Sequence, residues 1–224
     1  MNDIKLSKRL STVASLVRNG AFVADIGTDH GYLPIYLMSI GTISGAVASD
    51  VNKGPLHRAQ ENILKYSFDK KIFTKLANGL DGIDEFSPTD IMICGMGGEL
   101  IATILDRSEY IKKSGIRLIL QPMTSIYELR EYLSSGFSVI DEKIVCEDGK
   151  IYQIICAEYD GKSHSYTKAE LELGKRNIEK REDGFYELLN STVAKKEKKR
   201  DGLALGGYPT EEIDTEIKEL KKLQ

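Results

Sequence analysis

Apolar residues recur along this chain with two different periods, and their order sketches an architecture. Residues 4–18 place Leu6, Leu10, Val13 and Val17 at spacings of four, three and four, the stripe of an amphipathic helix. Strand-like runs follow near 21–26, 45–50, 72–77, 90–94 and 116–121, with helical patterns near 32–40, 54–66, 98–106 and 125–134. Alternation at this spacing predicts right-handed βαβ crossovers and a parallel sheet covered by helices on both faces. The rhythm then changes. Residues 137–146 and 151–159 are two strand-like runs separated only by the turn Glu147-Asp148-Gly149-Lys150, which predicts a β-hairpin.

Beyond about Gly161 the pattern is helical only. Leu171, Ile178, Phe185, Leu189 and Val193 recur at seven, seven, four and four, and predict one helix broken by the segment from Asp201 to Pro209. A second helix follows Thr210, with Ile213, Ile217, Leu220 and Leu223 in register. The expected division is therefore a catalytic domain, 1–160, and an antiparallel, coiled-coil-like helical hairpin, 161–224. So small a hairpin should lean on the first domain or on a partner.

The most informative turn is the first. An apolar run enters Asp25-Ile-Gly27-Thr28-Asp29-His30-Gly31, and a helical pattern leaves it. Strand, glycine turn and helix start bring backbone N–H groups against a cofactor. A nicotinamide-type fingerprint would need glycine at 29 and 32, where this chain has Asp29 and Tyr32. Asp29 would repel a pyrophosphate. S-adenosylmethionine, with a sulfonium, an ammonium and no phosphate, suits the acidic turn better, and Asp25 or Asp29 can attract its ammonium. Five strands in βα units plus a terminal hairpin also match the seven strands of the class I methyltransferase sheet, a Rossmann-like α/β fold whose last strand runs antiparallel.

In parallel sheets ligands lie at the carboxyl ends of the strands. Asp50, followed by Val51, ends the second run and either accepts ribose hydroxyls or caps the next helix. Asn78 and Gly79 end the third, where Asn78 either meets an adenine edge or forms a turn. The fourth opens into Gly95-Met96-Gly97-Gly98, a concentration of glycine that suggests a flat group close to the backbone. Gln121 ends the fifth and can line the same opening. His30 is a candidate acid or base, or a turn-packing residue.

Composition adds limits. The 224 residues carry a net charge of −3, but residues 1–160 hold −4 and residues 161–224 hold +1, with Lys195, Lys196, Lys198, Lys199 and Arg200 clustered. Local clustering is what a phosphate backbone feels. Cys94, Cys146 and Cys156 have no CxxC spacing and the three histidines are scattered, so no metal site is expected. With no long apolar run and no signal-like start, a cytoplasmic protein away from membranes is expected.

On Leu6-Ser-Lys-Arg9-Leu10, Asp25-x-Gly-x-Asp29-His30-x-Tyr-Leu-Pro34, Ala77-Asn-Gly-Leu80, Gly95-Met-Gly-Gly98 and Leu120-Gln-Pro122, the chain resembles the bacterial tRNA (adenine-N1)-methyltransferases acting at position 22. The resemblance spans essentially the whole length and implies S-adenosylmethionine as methyl donor, tRNA as partner and adenine N1 as target. Many methyltransferases carry D/N-PP-Y/F after the fourth strand. Here GMGG stands instead, which fits a ring nitrogen better than an exocyclic amine. The resemblance implies that Asp29 acts as general base or electrostatic partner of the methylated base, or else binds the cofactor. It also implies that Arg9 meets RNA phosphate or the acids of the site, with Tyr32, Gly98 and Gln121 on the substrate side. Lys195, Lys196, Lys199 and Arg200 either track the tRNA backbone or form a solvated helix face. A monomer is expected. The rival readings are a small-molecule methyltransferase and a non-catalytic protein that binds the donor structurally.

Overall fold

The computed structural model describes residues 4–224. Seven strands form one sheet: β1 (Phe22–Ile26), β2 (Gly45–Asp50), β3 (Ile72–Leu76), β4 (Asp90–Gly97), β5 (Arg117–Thr124), β6 (Phe137–Glu147) and β7 (Lys150–Tyr159). Their order is β3-β2-β1-β4-β5-β7-β6. The first five are parallel, while β7 runs antiparallel to both β5 and β6. The chain moves outward from β1 to β3 and returns to β4 on the other side of β1. The crevice beyond the carboxyl ends of β1 and β4 is thus the topological switch point, where open α/β sheets bind ligands.

Alternation along each strand assigns its two faces. Ala24, Ile26, Ile91, Ile93, Leu118 and Leu120 pack with Ile101 and Leu105 of helix α4 (Gly98–Asp106) and Leu129 and Leu133 of α5 (Ile126–Leu133). On the opposite face Val23, Ala46, Ala48, Met92 and Ile119 meet α1 (Lys8–Ser15), α2 (Tyr32–Ser39) and α3 (Lys53–Lys65) through Val13, Ile35, Leu37 and Ile63. Helix α1 is shorter than the stripe over 4–18 predicts, because Ser7 caps its start, its hydroxyl accepting from the Leu10 N–H at 3.3 Å.

The C-terminal prediction of one long helix is corrected. The chain instead forms α6 (Lys168–Leu173), α7 (Lys175–Lys180) and α8 (Phe185–Leu205), followed by α9 (Glu211–Lys221). Gly174 at φ +90° and Gly184 at φ +87° are the breaks, and both are left-handed conformations that suit glycine. The expected break within 201–209 falls in the second half of that segment: α8 continues to Leu205, and the Tyr208 N–H donates to the Leu203 carbonyl at 2.9 Å. Helices α8 and α9 run antiparallel, tied by Lys221–Glu197 and by the Gln224 amide on Asn190. As expected, the hairpin leans on the rest of the molecule: Leu173, Phe185, Leu189 and Leu220 enclose a small core that Ile144 of β6 and Ile151 of β7 complete. No helix of the described residues is long and apolar enough to cross a membrane.

Candidate active site

At the end of β1 the chain turns sharply. The N–H groups of Gly27 and Thr28 both donate to the Ser49 carbonyl of β2 at 2.8 Å, and the Thr28 hydroxyl accepts from the Gly31 N–H at 3.2 Å. Gly27 sits at φ +77°, and a Cβ there would collide with the Met96 methyl. Gly31, at φ +67°, starts α2 against Ala59 of α3. The turn opens on a cleft of about 260 Å³ lined by Arg9, Asp25, Thr28, Asp29, Cys94 and Gly95, among others. Strand order, more than proximity in sequence, brings these together.

Asp25 lies at the bottom, 7% exposed. Burial, aided by the nearby Asp50 charge and opposed by hydrogen bonding with Thr28, raises its carboxyl to about 6. Burial and the Asp25 charge also push the Cys94 thiol far up, so it is no thiolate nucleophile. Asp29 is different. Its side chain is 64% exposed, accepts from the Arg58 guanidinium at 2.6 Å and lies 3.3 Å from the His30 ring nitrogen. Arg58 holds its carboxyl below the usual carboxylate range. A carboxylate stabilised in that way is a poor general base at neutral pH. His30 stacks on Tyr32 with ring centroids 5.1 Å apart, so both residues stand at the mouth of the cleft.

Other expected positions separate. Asp50 ends β2 and accepts from the Asn52 N–H at 2.7 Å; the helix cap itself is Asn52, so the capping alternative for Asp50 is not realised. Val51 beside it is exposed. Asn78 lines a second hollow, with Arg107 and Tyr110, whose lining shares no residue with the first cleft. Gly79 is required by folding, since a Cβ there would strike Ile104.

The GMGG loop also needs correction. Gly98 was expected on the substrate side, but a Cβ there would run into the Ser125 carbonyl, so close packing of α4 on the β5–α5 turn explains it. Gly97 faces the Thr124 hydroxyl in the same contact. Gly95, at φ +80°, has open space around it.

Gln121 is likewise not an open substrate contact. It is fully buried; its carbonyl oxygen accepts from the Arg9 guanidinium and from the Gly95 N–H at 3.2 Å, while its amide nitrogen donates to the Pro122 carbonyl at 2.8 Å. The basic cluster divides by helical face. Lys195 and Lys199, four apart on α8, flank a groove of about 500 Å³ with Pro122, Met123 and Thr124 at the end of β5. Lys196 also lines this groove but is bound to Glu172 at 2.6 Å and Glu216 at 2.9 Å, and Arg200 is held by Asp201 at 2.7 Å. Arg58, Tyr152 and Glu147 were missed: each reaches the site from another element, and nothing in its local sequence marks it. No group of three or more metal-ligating side chains occurs among the described residues.

The fold and this cleft define a class I methyltransferase, and the methyltransferase domain family model matches residues 6–155. The chain is 40% identical to the tRNA (adenine(22)-N(1))-methyltransferase of Bacillus subtilis over 78% of this chain and 74% of that protein. It superposes with TM-score 0.86 on Streptococcus pneumoniae Sp1610 in complex with S-adenosyl-L-methionine, 32% identical, covering 98% of this chain and 99% of that one. The TM-score is 0.81 with Mycoplasma capricolum TrmK in complex with S-adenosyl-homocysteine, 29% identical over 97% and 96% of the two chains. The chain belongs to the tRNA (adenine(22)-N(1))-methyltransferase family.

Proposed function

We propose that the protein transfers a methyl group from S-adenosylmethionine to N1 of the adenine at position 22 of tRNA, acting as a cytoplasmic monomer. The observation that carries the reading is the pairing, at the switch point, of a glycine turn with a buried carboxylate that has no cationic side-chain partner among the described residues. That donor set fits a cationic nucleoside and not a pyrophosphate. When bound, S-adenosylmethionine supplies an electrophilic methyl group on sulfur.

The residues of the chain do the remaining work. Asp25 would hold the ammonium, Asp50 the ribose hydroxyls, and Gly27, Gly31 and Gly95 admit the ligand close to the backbone. Adenine N1 carries an in-plane lone pair, so attack needs no base; it needs alignment and exclusion of water. His30 and Tyr32 form a stacked pair at the mouth, an apt surface for a base turned out of its helix. Methylation makes the adenine cationic, and the ionised Asp29 beside it stabilises that charge. Lys195 and Lys199 supply the phosphate contacts of residues 161–224, the proposed tRNA-contacting domain.

The test is transfer of labelled methyl to an unmodified tRNA transcript, with the modified nucleotide mapped by mass spectrometry. Methylation at adenine 22, lost in Asp29→Ala while donor binding persists, supports the reading. Donor binding without transfer to any RNA supports a binding-only protein instead, and transfer to a small acceptor alone supports the small-molecule alternative.

A further inference from the structure

Two hollows open at the carboxyl edge of the sheet, and one exposed methionine stands between them. The cleft of about 260 Å³ at the end of β1 includes Arg9 and Gly95 in its lining, and the groove of about 500 Å³ between β5 and α8 includes Lys195 and Lys199. The two linings have no residue in common. Gln121 and Met123, two residues apart at the end of β5, connect them. The Gln121 carbonyl oxygen accepts from the Arg9 guanidinium and the Gly95 N–H on the cleft side. Its amide nitrogen donates to the Met123 sulfur at 3.6 Å, and Met123 lines the groove.

A single exposed methionine needs no explanation in itself. What distinguishes Met123 is its mount. The side chain is 46% exposed, yet the backbone on either side is fixed, with Pro122 and Thr124 in register with Met96 and Gly97 of β4. Arg9, at the far end of the Gln121 tie, is also held. Its guanidinium carbon lies 5.4 Å from the centre of the Tyr152 ring, and its backbone N–H donates to the Glu147 carboxylate at 3.4 Å. Of the large apolar side chains exposed among the described residues, Met123 is the one that lines the lysine groove. A pliable, polarisable thioether is therefore presented on a rigid strand end.

The proposed reaction makes a demand that such a residue meets. Adenine N1 lies on the pairing edge of the base, so a paired adenine must leave its stack before the methyl group can reach it. The gap left behind exposes apolar base faces, and the helix closes on it unless something fills it. Proteins that unstack bases fill such gaps with apolar side chains, methionine among them. We infer that Met123 inserts into the RNA stack at the position vacated by the target adenine, with the backbone held by Lys195 and Lys199 on one side and the extruded base received in the cleft on the other. The inference rests on the proposed tRNA reading and deepens it. Met123 performs no chemistry; it shifts the adenine from stacked to extruded.

Single-turnover methyl transfer from labelled S-adenosylmethionine tests this with two tRNA transcripts, one ordinary and one with an abasic residue facing adenine 22. Met123→Ala is expected to lower the rate at saturating RNA at least about tenfold on the ordinary transcript and by no more than about threefold on the abasic one. S-adenosylhomocysteine binding and the KM for tRNA should stay within about twofold. Met123→Leu, which keeps the bulk without the sulfur, should retain most of the rate. A 2-aminopurine at position 22 should brighten on binding the wild type and stay dim with Met123→Ala. Equal loss on both transcripts overturns the inference, because it makes Met123 part of the shape of the site. An unchanged rate, equal brightening with both proteins, or a rise in KM alone also overturns it. Absence of transfer by the wild type to either transcript overturns the tRNA reading itself, and is distinct from a failure confined to the variants.

Discussion

Glu142 and Asp25 are both shut away from water, at 1% and 7% exposure, yet the chain treats them in opposite ways. Glu142 on β6 accepts two bonds from Arg130 of α5 and the backbone N–H of Arg176. Arg130 spends its remaining donors on the Leu171 and Glu172 carbonyls that end α6 and on Gln153 of β7. Every polar atom of that cluster has a protein partner, and its product is architecture: it ties the C-terminal helices to the sheet. Asp25 has no ion-pair partner among the described residues and bears a cost of desolvation, partly offset by Thr28, in its raised pKa. A buried carboxylate left without a cation among the described residues, at the bottom of the switch-point cleft, is one reserved for a ligand.

The largest expected effect lies on the satisfied side. Arg130→Met leaves Glu142 buried without its cationic partner, and should cost about 3–5 kcal/mol. Denaturant titration reads that as a lower midpoint. Adding Glu142→Met should recover most of the loss, because replacing both partners removes the stranded charge. No recovery would mean that the cluster stabilises by more than mutual compensation.

Asp25→Asn should act in the opposite direction on stability. The native pKa is raised above the usual 3.8 to about 6, so the contribution of this group is fully present below pH 3.8 and lost as pH rises through 6. At pH 8 the wild type therefore bears a penalty on the order of 3 kcal/mol that the variant avoids, less the value of the Thr28 bond. The variant is expected to melt higher at pH 8, to match the wild type near pH 4, and to bind S-adenosylhomocysteine at least tenfold more weakly. A lower melting temperature at pH 8 would place Asp25 with Glu142, as structure.

The same contrast separates the bases of α8. Lys195→Ala with Lys199→Ala should weaken tRNA binding and reduce the slope of log affinity against log salt by about 2, with stability unchanged. Lys196→Ala should leave the slope alone and cost about 1 kcal/mol of stability, since its partners Glu172 and Glu216 lose their shared cation. The smallest effect concerns Ser49, whose buried hydroxyl has no hydrogen-bond partner among the described residues. Ser49→Ala should be neutral or stabilising by under about 1 kcal/mol in thermal unfolding, because no bond is lost.

These contrasts also show how far the sequence could be read. Strand and helix periods located all seven strands and the helices of the sheet, and the acids at the ends of β1 and β2 could be found because a parallel sheet places strand ends together. The C-terminal helices were misread because Leu171, Ile178 and Phe185 keep helical spacing while Gly174 and Gly184 turn the chain between them. Run-on basic residues conceal their directions: at about 100° per residue, Lys195 and Lys199 share one face and Lys196 turns toward α9. Glycine was ambiguous for a related reason. Gly95 and Gly98 look alike in sequence, but only the structure shows that the Ser125 carbonyl fills the space beside Gly98. The tethers on Arg9 lie more than 100 residues away, at Gln121 and Glu147, and no local pattern announces them.

Proton release on ligand binding tests the reserved carboxylate most directly. At pH 6 about half of the Asp25 carboxyls hold a proton, and an ammonium beside them favours the ionised form. Titrating S-adenosylhomocysteine in buffers of different ionisation enthalpy should show about half a proton released per ligand bound at that pH, and none in Asp25→Asn. The same release in wild type and variant, or none in either, would contradict the account.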